Sequence, residues 1–176
     1  MISNVRPGSG LIVIETERLI LRRLTLADAE FILGLLNEPS FLRFVGDKGV
    51  RNLDGARDYI VKGPLASYGQ FGFGLYLTQL KDGEVPIGIC GLLKRESLED
   101  VDVGFALLPQ FWSKGYAFES ASAVVAYGKR FFGLKRIVGL VKPDNRGSIR
   151  VLEKMGLKFE RMARLVDDGP EDKLFA

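Results

Sequence analysis

Two periods of apolar residues alternate along this chain. From Ile12 to Arg23 apolar and polar positions exchange loosely, with Ile12, Ile14, Leu19 and Leu21 on the apolar side, and the segment reads as one entering strand. The period then lengthens. Leu26, Ala29, Phe31, Ile32, Leu35 and Leu36 trace a broad helical face. Thr25 opens that helix, Asp28 makes an approximate capping box with it, and Pro39 is expected to stop it. Residues Asn52 to Lys62 repeat the helical spacing more weakly through Leu53, Ala56, Ile60 and Val61, up to Gly63-Pro64. Strict alternation returns over 71–80, where Phe73, Leu75 and Leu77 oppose Gly74, Tyr76 and Thr78. Asp82-Gly83 predicts a hairpin turn into a partner strand over 85–93, and a nearly unbroken apolar strand follows at 101–108.

Helical spacing resumes over 116–132, with Ala117, Ala121, Val124, Val125, Gly128 and Phe131 on one face. A short apolar strand at 136–141 leads to a helix over 145–155, closed by Gly156. The last two strands, 157–165 and 172–175, flank the turn Asp167-Asp168-Gly169-Pro170. This order, with a hairpin meander in the middle, predicts an α+β (mixed α/β) fold. Its centre is a mostly antiparallel sheet of about seven strands, flanked by about four helices. Residues 11–176 are expected to form a single domain after a flexible N-terminal segment, 1–10.

Composition narrows the chemistry. A soluble folded chain of 176 residues that is 47% apolar and 27% charged hides about 70% of its unfolded surface. It has no histidine, which excludes His-based triads and nearly all zinc ligand sets, so no metal is expected. The one cysteine, Cys90, excludes an intrachain disulfide and lies in an apolar run, where a buried structural thiol is the ordinary case. The first ten residues lack the apolar core of a signal peptide, and no apolar stretch approaches the ~18 residues of a membrane span. A cytoplasmic protein without a membrane partner is expected.

Net charge is +3, but unevenly spread. Residues 1–128 hold 13 basic and 15 acidic side chains, residues 129–164 hold 11 and 3, and residues 165–176 hold 1 and 4. The middle segment, at +8, calls for an anionic partner or is simply solvated surface.

The stretch richest in chemistry runs from Leu107 to Ala117, a strand passing through a short loop into a helix. Unpaired N–H groups at a helix start, the helix dipole and the freedom of Gly115 together make a phosphate cradle, to which Lys114 adds charge. The Walker spacing is absent, and a plain tight turn would look similar. A second constellation begins at Asn145, with Ser148 one turn on and Arg146, Arg150 and Lys154 at four-residue spacing. Asn145 also suits a simple N-cap, and the basic stripe a solvated helix face.

With these residues in view, the chain resembles the GNAT superfamily of acetyl-CoA-dependent N-acetyltransferases, and most of all its RimJ/RimL-like branch, which acetylates ribosomal proteins. The resemblance covers roughly Glu15 to Phe159. It rests on Glu15-Thr-Glu-Arg-Leu-Ile-Leu-Arg-Arg-Leu, Ile87-Gly-Ile-Cys-Gly-Leu, Trp112-Ser-Lys-Gly-Tyr-Ala-Phe-Glu119, Val141-Lys-Pro-Asp-Asn145-Arg-Gly-Ser148 and Leu152-Glu-Lys-Met-Gly-Leu. It implies a twisted sheet with a V-shaped splay, in which the N–H groups of Ser113, Lys114, Gly115, Tyr116 and Ala117 hold the pyrophosphate of acetyl-CoA. Trp112 fills the first position of that loop motif. Backbone groups near Leu107 and Leu108 would meet the pantetheine arm, Asn145 would hydrogen-bond it, and Ser148 would lie near the sulfur. Basic residues of the +8 segment would meet the 3′-phosphate.

The implied reaction is direct attack of an amine on the thioester through a tetrahedral oxyanion, which needs no nucleophilic side chain. Relatives often carry a tyrosine acid where this chain has Leu152, which leaves Ser148 as the candidate acid. Asp102 is the first candidate base, with Glu99, Asp100, Glu160 and Asp167 as alternatives. Glu119, in the first turn of its helix, is taken as structural. The acceptor, a peptide N-terminus or a small amine, is expected between residues 31–68 and the turn joining the last two strands. A monomer or homodimer is expected, as is no nucleic-acid partner. A cofactor-binding sensor without turnover is the alternative.

Overall fold

The computed structural model describes residues 10–176, so the proposed flexible segment falls almost wholly outside the described residues. Gly10 itself already packs against β2, where an added Cβ would lie 1.9 Å from the Arg23 carbonyl oxygen.

The loose alternation at the start belongs to two strands, β1 (Ile12–Glu15) and β2 (Leu19–Arg23), which pair antiparallel across a turn at 16–18. Helix α1 (Ala29–Leu36) follows a single 3-10 turn, and the Thr25 N–H donates to Asp28 Oδ2 at 2.8 Å. Pro39 does not end the helical region. It stands at the start of α2 (Pro39–Phe44), where a missing N–H costs nothing, and the Glu38 carboxylate accepts from the Ser40 N–H. Helix α3 (Leu53–Ile60), capped by Asn52, does not stop at Gly63-Pro64 either. A wide turn over Val61–Leu65 absorbs the proline and carries the chain into α4 (Ala66–Phe71). The remaining elements are β3 (Leu75–Leu80), β4 (Pro86–Leu93), β5 (Val101–Leu107), α5 (Tyr116–Phe132), β6 (Ile137–Val141), α6 (Arg146–Lys154), β7 (Phe159–Arg164) and β8 (Glu171–Phe175).

All eight strands form one sheet, ordered β1-β2-β3-β4-β5-β6-β8-β7, so the described residues supply one strand more than expected. Every neighbouring pair is antiparallel except β5 and β6. These two pair only through Val101↔Ile137 and Asp102↔Val138, then part, so a V-shaped slot opens toward the C-terminal end of β5.

Side chains alternate between the two faces of a strand. Val103 and Leu107 of β5 join Ala121 and Val124 of α5 in one core. Ala106 packs instead with Ile32, Leu35, Ala56 and Ile60 on the α1–α3 side. A smaller cluster of Leu98, Val138, Ala163 and Leu174 packs around β6, β7 and β8. Cys90 is buried in the first core, where burial pushes its thiol up to about 12 against the opposing Ser120 hydrogen bond. The native protein therefore presents no reactive thiol of its own to a disulfide reagent at neutral pH. No helix among the described residues is long and apolar enough to cross a membrane.

Candidate active site

A cleft of about 610 Å³ occupies the slot. Its walls come from the end of β5, the loop before α5, the first turn of α5, α6 and, across the sheet, α1 and α2. Of the residues singled out in the sequence, Leu107, Trp112, Ser113, Gly115, Tyr116, Ala117, Asn145 and Ser148 line it.

The loop is built to leave donors free. Ser113 (φ 59°) and Gly115 (φ 84°) both adopt left-handed backbone, a combination that turns successive N–H groups toward one concave side. Trp112 N–H donates to Pro109 O, and the next amide with a carbonyl partner is Glu119, on Gly115 O at 3.0 Å. Among the described residues, no carbonyl takes the N–H groups between them, from Ser113 to Phe118. They sit where the positive end of the α5 dipole lies.

The loop is tied from behind. Arg18, at the β1–β2 turn, donates to Lys114 O at 3.0 Å and stacks 4.5 Å over the Tyr116 ring. It also grips Glu119 through Nε and Nη2, both at 2.7 Å. The second Glu119 oxygen accepts from Thr16 Oγ1 at 2.6 Å and from the Arg18 N–H at 2.9 Å. These bonds outweigh partial burial and hold the Glu119 carboxyl below its ordinary range. Glu119 is therefore the knot between the β1–β2 turn and the loop, and Lys114 contributes its carbonyl rather than a side chain lining the cleft.

Arg18→Ala is expected to weaken acetyl-CoA binding by roughly tenfold to a hundredfold, because a charge-assisted hydrogen bond contributes roughly 1.5–3 kcal/mol. Titration calorimetry checks it, and Glu119→Gln should fall in the same direction.

Leu108 departs from its expected role. Its N–H donates to Ile87 O and its carbonyl accepts from Phe111, so neither backbone group is open to a ligand. Antiparallel alternation explains this: residues 102, 104, 106 and 108 hydrogen-bond toward β4, whereas those of 103, 105 and 107 point toward β6. Where β6 has veered away, Phe105 and Leu107 face the slot instead, although the Leu107 carbonyl is taken by Trp112 Nε1 at 2.8 Å. Trp112, 44% exposed, thus pins the loop to the strand.

On the other wall, Asn145 caps α6, its Oδ1 accepting from Ser148 N–H at 3.1 Å. The cap reading is therefore correct for Oδ1, and Nδ2 is the group the side chain can offer a ligand. Ser148 is half-buried and lines the cleft. Arg146, Arg150 and Lys154 also line the cleft, and Lys154 Nζ lies 4.3 Å from the Phe118 ring centre. The basic stripe is thus a wall of the site rather than a face turned wholly to solvent. Leu152, two residues from both Arg150 and Lys154 and so on another face of the helix, is buried against Gly139, where an added Cβ would lie 2.6 Å from Leu152 Cδ2.

Asp102 is not among the residues lining this cleft. It sits at the opposite end of β5, 2% exposed, with Oδ1 3.0 Å from Arg95 Nε. It shares the face of Ala106, toward α1 and α3. Burial pushes its carboxyl up, and Arg95 only partly opposes this. The alternative carboxylates stand elsewhere. Asp100 and Glu160 both pair with Arg136, at 2.8 and 2.7 Å, while Glu99 and Asp167 are exposed on turns.

The sequence reading missed the apolar wall of Leu35, Phe41, Phe44 and Val45. A six-residue helix such as α2 carries too little periodicity to mark its inner face. Among the described residues no group of three or more acidic, Cys or His side chains is arranged to hold a metal ion.

Comparisons with known proteins agree with this geometry. Residues 18–158 match the acetyltransferase (GNAT) domain. The chain is 31% identical over 154 residues to the uncharacterised N-acetyltransferase YoaA of Bacillus subtilis, covering 86% of each. It superposes on the crystal structure of an acetyltransferase from Agrobacterium tumefaciens with a TM-score of 0.79 at 25% identity, covering 97% of this chain and 98% of that one. RimL, a ribosomal L7/L12 alpha-N-protein acetyltransferase solved with coenzyme A, shares the fold with a TM-score of 0.79 at 17% identity, covering 93% and 96%. A donor-lined loop, a split sheet and a matching domain over most of the sequence lead to one conclusion: the chain belongs to the GNAT acetyltransferase family.

Proposed function

We propose that the protein is an N-acetyltransferase that moves the acetyl group of acetyl-CoA to a primary amine, on a peptide N-terminus or a small molecule. The observation that carries this reading is the run of unpartnered N–H groups from Ser113 to Phe118, opposite the cationic row of Arg146, Arg150 and Lys154. Such a cradle fits a pyrophosphate, and a neighbouring cationic row fits a further phosphate. The slot beyond it, with the Leu107 N–H and the Phe105 backbone on its edge, suits an extended amide-bearing arm pairing as a strand would.

In this reading the deprotonated amine attacks the thioester carbon directly. A C–N bond forms, the carbonyl oxygen becomes an oxyanion, and the C–S bond breaks to release the CoA thiolate. The nitrogen sheds its extra proton along a chain of waters to Asp102, which stands outside the cleft, and Ser148 passes its hydroxyl proton to the departing thiolate and regains one from those waters, so that amide and CoA thiol are the products. Cytoplasmic residence accords with a single buried cysteine.

Ser148→Ala is expected to lower kcat about tenfold or more while leaving acetyl-CoA affinity unchanged. Release of CoA thiol reads the first quantity, and the buried Cys90 adds no background to that signal. Unchanged turnover would remove Ser148 as the acid, and acetyl-CoA binding with no thiol release for any amine would favour a sensor without turnover.

A further inference from the structure

The cleft passes through the split sheet. Helices α5 and α6 pack on the face of Leu107, whereas α1 and α2 pack with Ala106 on the other. Acetyl-CoA reaching the slot from the α5 loop and α6 therefore leaves the α1–α2 wall for the acceptor. Helix α2 and its cap turn one stripe to the cleft. Ser40, Phe41, Phe44 and Val45 recur at the three- and four-residue spacing of a single helical face, and all four line it, together with Leu35 of α1 and Phe105 of β5.

This wall carries no charge. The charged residues that line the cleft are Asp144, Arg146, Arg150 and Lys154, all from the segment 144–154. Ser40 donates its hydroxyl to the Glu38 carboxylate. Phe44 is half-buried and Val45 is 42% exposed, so both leave apolar surface open at the cleft.

The wall is also tied in place. Arg43, off that stripe, donates from Nη2 to Asp144 Oδ2 at 3.1 Å, and Lys142 Nζ donates to the Arg43 carbonyl at 2.7 Å. Both bonds join the end of α2 to the segment that leads into Asn145, so the apolar stripe keeps a set position relative to the start of α6. The same pair occupies Asp144, the one carboxylate lining the cleft, and a polycationic acceptor would have to break it.

Apolar surface of this kind is covered most favourably by apolar atoms, and full burial of a side chain the size of Leu or Phe strengthens binding by about tenfold or more. The wall also disfavours the charged form of an amine seated beside it, which is the form that cannot attack.

We propose that Phe41, Phe44 and Val45, with Leu35 and Phe105, form a subsite for an apolar group next to the acceptor amine, so that the molecule acetylated is a hydrophobic amine and not a polycation. This rests on the acetyl-transfer reading above and names the class of acceptor for that same site. The apolar group has two sources, the first side chain of a peptide or the body of a small free amine.

Matched acceptors test it. A peptide beginning Leu-Ala-Ala is compared with one beginning Ser-Ala-Ala, 2-phenylethylamine with ethanolamine, and all four with spermidine. Thiol release from acetyl-CoA gives kcat/KM. In at least one pair the apolar member should exceed its polar partner by about tenfold or more, and spermidine should be the poorest. The pair that shows the excess identifies the source. Val45→Asp should erase the preference and Phe44→Ala should reduce it, with acetyl-CoA affinity unchanged in both. Val45 is exposed enough for Val45→Asp to keep the wild-type Tm, and were it to unfold, Phe44→Ala carries the same comparison.

Equal kcat/KM within both pairs, preference for the polar members or for spermidine, or an unaltered ratio in the folded variants would overturn the subsite alone. So would weakened acetyl-CoA binding in Val45→Asp, which would give the wall to the cofactor, and acetyl-CoA binding without use of any of these acceptors. Failure of the wild-type protein to bind acetyl-CoA at all would overturn the acetyl-transfer reading, and the subsite with it.

Discussion

Gly115→Glu is expected to abolish acetyl-CoA binding, leaving no measurable heat at ligand concentrations that saturate the wild-type protein. Two costs combine. Gly115 holds φ at +84°, where a side chain costs roughly 1–2 kcal/mol, and its Cβ would lie 3.2 Å from Arg18 Nη2. The larger cost is electrostatic. A carboxylate at this point competes with the pyrophosphate for the N–H groups of residues 113–118 and repels it at close range. Gly115→Ala separates the two, since it carries the backbone strain without the charge, and it should lose only about tenfold in affinity. Wild-type affinity in Gly115→Glu would remove the loop as the phosphate site.

Asp102→Asn should lower kcat by about 10²-fold or more, the usual scale for losing a general base, with acetyl-CoA affinity unchanged. The pH profile carries the sign. A base works only when ionised, and burial has raised the pKa of Asp102 above that of an ordinary carboxyl. Wild-type turnover should therefore fall with acidity as Asp102 takes up its proton, beginning at a higher pH than an exposed carboxyl would give. The variant should lack that limb. Asp102 also pairs with Arg95, whose side chain is 34% exposed and can turn to water when its partner is lost. A lower Tm with unchanged kcat would mark Asp102 as a partner of Arg95 and nothing more.

The second half of the fold was the more legible in sequence. Helix α5 spans the expected 116–132 because both ends are punctuated, by Gly115 and by Gly133 at φ 63°. Helix α6 lies between the Asn145 cap and Gly156 for the same reason. The first half misled where punctuation was ambiguous. The turn at 16–18 holds no Gly, Pro or Asn, so β1 and β2 read as one strand. Pro39 and Pro64 read as stops, whereas one starts a helix and the other is absorbed by a wide turn.

The site divides along a similar line. The cradle was readable because its chemistry is local, within a few residues of Gly115. The Arg18–Glu119 tie spans 101 residues, and only the folded sheet brings its ends together. The orientation of the basic stripe stayed open because four-residue spacing defines a face without saying what that face meets. Leu108 was misplaced by one residue, enough to reverse the direction of every backbone group on a strand.

The central claim is that the slot between β5 and β6 holds acetyl-CoA. Its most direct measurement is the unfolding temperature of the full chain as acetyl-CoA is added. At a hundredfold excess over Kd, binding to the folded state contributes about 2.7 kcal/mol, which for a domain of this size raises Tm by roughly 5–10 °C. The account predicts a rise of that order in the wild-type protein and none in Gly115→Glu. A wild-type Tm that stays flat to millimolar acetyl-CoA would contradict it.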